Sequence, residues 1–146
     1  MTSANLLRSY RTVATQTASP NQLVLMLYDG AIRFLERALV GFEHDDPLEF
    51  NATINNNILR AQDIINALNN SLDLSEGGQL ATTLRRLYCF MDRQLVMSNA
   101  RKTPDGIRDT IQRLATLREA WYHIAGPQAP SPAVANDTCS ALSVTS

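Results

Sequence analysis

The sequence predicts an all-α protein, an antiparallel four-helix bundle with disordered N- and C-terminal tails. Three observations carry that prediction. Four segments hold a long apolar period, three of them behind a capping residue and a proline. The linkers between them are short, which makes successive helices antiparallel neighbours. No β-like alternation of apolar and polar residues competes. A chain of 146 residues is one domain's worth, long enough to bury a real core.

The first helix is expected over 19–42. Ser19-Pro20 supplies an N-cap and a proline at the first helical position, and Gln22 closes a capping box. At 100° per residue, Leu23, Leu27, Phe34 and Ala38 share one strip. Val24, Ala31, Leu35 and Phe42 lie beside it. Leu25, Tyr28, Ile32 and Leu39 widen the arc to about 200°, roughly twice what a surface helix needs. Either this helix sits against two neighbours and is largely buried, or its far shoulder (Leu25, Tyr28, Ile32, Leu39) is covered by something outside the four helices. Asp29 shares the polar strip with Arg33, Glu36 and Arg37. It reads most simply as a solvated charge with an i,i+4 partner in Arg33, a partner-binding role being the alternative. Gly30, at the rim of the arc, implies close approach by a neighbour.

The second helix, 47–70, opens on Asp46-Pro47 with Glu49 as the reciprocal cap. Phe50, Ile54, Ile58, Ala61, Ile65, Leu68 and Leu72 step by threes and fours along a stripe about 80° wide. The remainder is polar, with seven asparagines between positions 51 and 70. Only Leu59 and Ile64 are apolar surface to spare.

Gly77-Gly78 reverses the chain before the third helix, 79–101. Its core face is Leu80, Leu84, Leu87, Tyr88, Met91 and Leu95. Off that face, Phe90 and Met97, seven apart, form a ridge flanked by Arg86 and Arg93, and Cys89 and Val96 form another. Stacked pairs two turns apart read either as a binding surface or as peripheral core. The fourth helix, 104–125, starts at Thr103-Pro104 with Asp105 complementing the helix dipole. It presents Ile107, Ile111, Leu114, Trp121 and Ala125, widened by Leu117 and Ile124. Arg118 falls within that face, where it snorkels or pairs with a carboxylate of a neighbouring helix such as Asp92.

The flanks differ in kind. Residues 1–18 carry a thin apolar set, Leu6, Leu7, Tyr10 and Val13, spaced to form one face if the segment turns helical on a surface. They are expected to be a flexible lid over part of a binding site on the bundle, 19–125. Residues 126–146 begin with three prolines in six residues and hold almost no charge, so disorder is expected.

Composition narrows the function. A net charge of −1 argues against nucleic acid as the main partner. Nothing approaches the ~20 consecutive apolar residues of a membrane span, and the first residues lack the apolar run of a signal peptide. With two cysteines, one in a helix and one in the tail, a reducing, cytoplasmic setting fits. The core stripes hold no Glu or His for a di-iron site, and His44 and His123 lie off them. Neither a Gly-rich phosphate loop nor a nucleophile elbow is present. The expectation is a binding bundle, not an enzyme, with no cofactor or metal.

These residues resemble a known family, the flagellin-specific flagellar export chaperones called FliS, over about residues 5–125. "TASPNQLVLMLYDGAIRFLERA" is similar to its first-helix signature, a Ser-Pro cap leading to Leu-Tyr-Asp-Gly. "RAQDIINALNNSLDLSEGGQLATTLRRLYCFMDRQL" resembles its second signature, and "LREAW" the Arg and Trp of its last helix. Where the family usually has a first tyrosine, this chain reads Asn5-Leu6-Leu7, leaving Tyr10. The tail after Gly126 has no usual counterpart. The resemblance implies a cytosolic monomer or weak dimer that binds the disordered C-terminal segment of flagellin. It would thereby prevent premature polymerisation and aid delivery to the flagellar secretion gate. The expected flagellin-binding residues are Tyr10, Leu25, Tyr28, Ile32, Phe90 and Met97, with Tyr10 as the lid's anchor. The alternative reading is a structural bundle that uses the same apolar surface for obligate self-assembly.

Overall fold

The computed structural model describes residues 20–75 and 77–125, together with Arg8. Four helices follow in order: α1 (Pro20–Gly41), α2 (Pro47–Asn70), α3 (Gly78–Arg101) and α4 (Asp105–Ala125). The bounds agree with the sequence reading to within one residue. Expectations for the two tails, Tyr10 among them, lie outside the described residues, as does the Ser19 cap.

Local chemistry explains the ends. Asp46 is extended and its carboxylate accepts from the Leu48 amide, with Pro47 at the first helical position. Gly78 opens α3 at φ +59°, a conformation that favours glycine. Lys102 ends α3 in the left-handed region, its amide donating to the Ser98 carbonyl. Its ammonium donates to the Asn99 carbonyl at 2.9 Å, and partial burial lowers its pKa.

Packing follows the apolar stripes. Helix α1 lies against α2 and α4, α2 against α3, and α3 against α4, which closes the ring of a bundle. Ala31, Leu35, Ile54, Ile58, Ile65, Met91, Leu95, Ile107 and Leu114 fill the centre. Beyond Gly41, Phe42 meets Phe50 edge-on at 5.5 Å and closes the α1–α2 corner.

Two readings of the sequence need correction here. Ile64 is not spare surface; it is fully buried in the core. The α2 stripe is wider than 80° because α2 touches both α1 and α3. Arg118 pairs with Asp29 rather than Asp92, through Nε–Oδ1 at 2.5 Å and Nη2–Oδ2 at 3.3 Å. That two-pronged bond ties α4 to α1 and, as its main effect, raises the guanidinium pKa. Asp29 is therefore neither free nor paired with Arg33. Both side chains keep a third or more of their surface, so solvent screens the pair. Asp29→Asn is expected to destabilise by about 1 kcal/mol in low salt and by less at 1 M salt, read by urea unfolding. An identical loss at both salts would contradict an ionic origin.

Asp92 instead accepts from Gln62 Nε2 at 3.0 Å. Asn99 donates to Asn55 Oδ1 at 2.8 Å, and Asn69 reaches Cys89 Sγ at 3.9 Å. The α2 members of this set, Asn55, Gln62 and Asn69, are seven residues apart. A polar ladder thus runs beside the apolar core along the α2–α3 seam.

Candidate functional site

The candidate site is the outer face of α3 and its seam with α4. On α3 the side chains at 86, 90, 93, 97 and 101 follow steps of three and four, so they form one stripe over about 22 Å of helix. Phe90 is 41% exposed, Met97 46%, and the neighbouring Val96 52%. An apolar ridge this open contrasts with Met91 and Leu95, one position away and fully buried. The alternative of peripheral core does not describe these side chains.

Beside the ridge lies an open groove of about 400 Å³, lined by Phe90, Met97, Gln94, Ser98, Gly106 and the arginines 93 and 101, with Thr103 at its end. A second hollow of about 370 Å³ continues along the seam between Leu87, Leu117 and Arg113. Between the two, the Arg113 guanidinium covers the Phe90 ring at 4.8 Å while its Nε bonds Asp109 at 2.7 Å.

Gly106 sets how close the two helices come. A Cβ there would lie 2.3 Å from Ser98 Oγ and 3.1 Å from the Gln94 carbonyl oxygen. Thr110, fully buried one turn on, donates to the Gly106 carbonyl at 2.8 Å and lies 3.3 Å from Gln94 Oε1. Gly106→Ala should destabilise by about 1 kcal/mol, the low end for overpacking because the Ser98 hydroxyl can rotate away. Ser98→Gly in the same chain should restore part of that loss, and thermal melts of the three variants check it.

The helix-one shoulder is closed where an open apolar face was expected. Leu25 is 8% exposed and Tyr28 1%; both belong to the core cluster, with Ile32 partly buried against it. Tyr28 reaches across the bundle to Tyr88, the two hydroxyls 2.5 Å apart. Neither Leu25 nor Tyr28 offers an open surface in this structure. The arc is wide because α1 packs against α2 and α4 and also points a tyrosine at α3. Of the expected binding residues that are described, Phe90 and Met97 alone come together in the open groove. Gln94, Arg101, Gly106 and Arg113 were missed there. A wheel of α3 holds the first two next to Met97 and Phe90, but the α4 pair becomes visible only once the seam is known.

The comparisons with known proteins bear on this arrangement. A family model described as flagellar protein FliS matches residues 3–129. The chain belongs to the FliS family. The flagellar secretion chaperone FliS of Salmonella typhimurium is 36% identical over 113 residues, covering 77% of this chain and 81% of that protein. That of Bacillus subtilis is 31% identical over 77% of this chain and 80% of the relative. That of Vibrio cholerae is 30% identical over 81% and 87% respectively. FliS membership gives the general class of activity, flagellar secretion chaperone. It also agrees with a bundle in which no described helix is long and apolar enough to cross a membrane.

Proposed function

We propose that this FliS-family chain binds the disordered C-terminal segment of newly made flagellin in the cytoplasm, on the α3–α4 face. In doing so it keeps flagellin from polymerising early and aids its delivery to the flagellar secretion gate. The observation that supports this reading is the open Phe90–Met97 ridge, two turns long, beside an open groove. A segment that folds as it binds must offset its ordering cost, so it needs a long apolar track rather than one deep pocket.

The test is co-purification of the tagged protein from its own cells, with the bound chain identified by mass. Recovery of flagellin, lost when flagellin is cut short at its C-terminus, is expected. A constitutive dimer that ignores the segment would favour the self-assembling bundle instead.

Residues 1–18, with Tyr10 as anchor, are proposed to act as a lid that competes with the client. A competing lid lowers apparent affinity by the fraction of time it is closed. Deleting residues 1–15 should tighten binding of the flagellin segment and raise self-association. If deletion abolishes binding, the segment holds the client; if it changes neither property, there is no lid.

A further inference from the structure

The outer stripe of α3 alternates charge and apolar surface: Arg86, Phe90, Arg93, Met97, Arg101. The chain as a whole is slightly acidic, yet α3 carries four arginines and a single carboxylate, Asp92. That carboxylate is taken up by Gln62 on the α2 side. Among the described residues the ion pairs are His44–Glu49, Arg108–Asp105, Arg113–Asp109, Arg118–Asp29 and His123–Glu119. Arginines 86, 93 and 101 enter none of them. Arg113, across the groove, is already neutralised by Asp109 at 2.7 Å. Uncompensated cations thus stand at intervals of seven and eight residues, with an aromatic ring and a thioether between them.

We infer that the occupant of this groove is an amphipathic helix whose contact stripe alternates carboxylates with apolar side chains, so that the arginines of α3 select an acidic client. Seven to eight residues of helix span about 10–12 Å, so carboxylates two turns apart on the client meet successive arginines. Apolar side chains one turn from each acid then fall on Phe90 and Met97. The seam favours a helix over a membrane surface, because Arg93, Met97 and Arg101 border a groove of about 400 Å³ that an inserted side chain can fill. Ridge burial supplies affinity, while exposed arginines govern the encounter rate and the choice between clients.

This inference rests on the flagellin reading above, and the experiment separates the two. The probe is the C-terminal segment of the flagellin from the same cells, with a second version in which every Asp and Glu is replaced by Lys. Binding to the full chain is followed by calorimetry at 50 mM and 500 mM salt. The natural segment should bind, weaken steeply with salt, and lose about fivefold in affinity at low salt against Arg93→Gln/Arg101→Gln. Arg93→Glu/Arg101→Glu should lose more for the natural segment and gain for the Lys version. Both variants should keep the circular dichroism and melting of the parent, since these side chains are exposed. Binding that is indifferent to salt and to both arginine variants overturns the inference and leaves the flagellin reading standing. No binding at either salt overturns both. Arginine-dependent binding to phosphatidylglycerol vesicles, or arginine-dependent self-association, with a salt-insensitive segment would make the stripe a membrane or dimer surface and overturn it as well.

Discussion

Tyr88→Phe is expected to lower the free energy of unfolding by about 2 kcal/mol, and Tyr28→Phe by a similar amount. Both hydroxyls are buried and each is the other's partner. Removing one strands the other in the core, where an unsatisfied polar atom costs far more than a hydrogen bond contributes. The double variant should therefore be less destabilised than the sum of the singles, and close to either one alone. Chemical denaturation of all four proteins gives the coupling directly. Additive losses would mean that each phenol is satisfied independently, and the cross-bundle bond would have to be abandoned. The pair also fixes the alkaline limit of the fold. Burial pushes the Tyr28 pKa up to about 12, with the bond to Tyr88 partly opposing, and raises Tyr88 well above 10. The folded pKa values lie above those of the unfolded chain. Their contribution is therefore complete below pH 10 and is lost as pH rises from there toward 12 and beyond. A parent protein that loses stability above pH 10 beside a Phe/Phe variant that loses less is the expected comparison.

Phe90→Ser with Met97→Ser should weaken binding of the flagellin segment by roughly thirtyfold or more, in the range of interface hot spots, with melting almost unchanged. The asymmetry follows from exposure. Both side chains are more than two-fifths open in the free protein, so a polar replacement leaves no cavity behind. Within the chain, the double substitution takes the Phe90 ring from beneath the Arg113 guanidinium, an exposed cation–π pair of about 0.5–1 kcal/mol. On complex formation the same side chains would be fully covered, and only then would their apolar area count. Calorimetric titration alongside thermal melts separates the two quantities. A loss of stability by several kcal/mol, as for large core truncations, would class these residues as core and sink the reading.

How much of this could be read without coordinates depended on the kind of question. Periodicity places residues on a helix face, so the bounds of α2 and the outward position of Phe90, Val96 and Met97 were legible. What lies beyond a face is another matter. Tyr28 sat on an arc too wide for one neighbour, but nothing in sequence says that its hydroxyl meets Tyr88, sixty positions away. Asp29 had a plausible partner at Arg33, and local spacing concealed the stronger bond to Arg118 on α4. Ile64 looked marginal because α2 was read against one stripe while it packs on two helices. Gly106 gave no warning, since a glycine near a helix start is ordinary until Ser98 is known to lie against it.

The polar ladder between α2 and α3 has a consequence for aim. Asn55–Asn99, Gln62–Asp92 and Asn69–Cys89 stand at heptad intervals on α2 and at steps of seven and three on α3, so sliding α3 by one turn, or rolling it about its own axis, breaks all three together. Apolar contacts alone would tolerate such a roll at small cost, because one Leu replaces another with little penalty. Direction-dependent bonds do not. From the helical repeat, the ladder lies roughly 130° around α3 from the Phe90–Met97 stripe. The α2–α3 seam therefore sets the azimuth of the Phe90–Met97 stripe on the other side of α3, as a keyway fixes the bearing of a shaft.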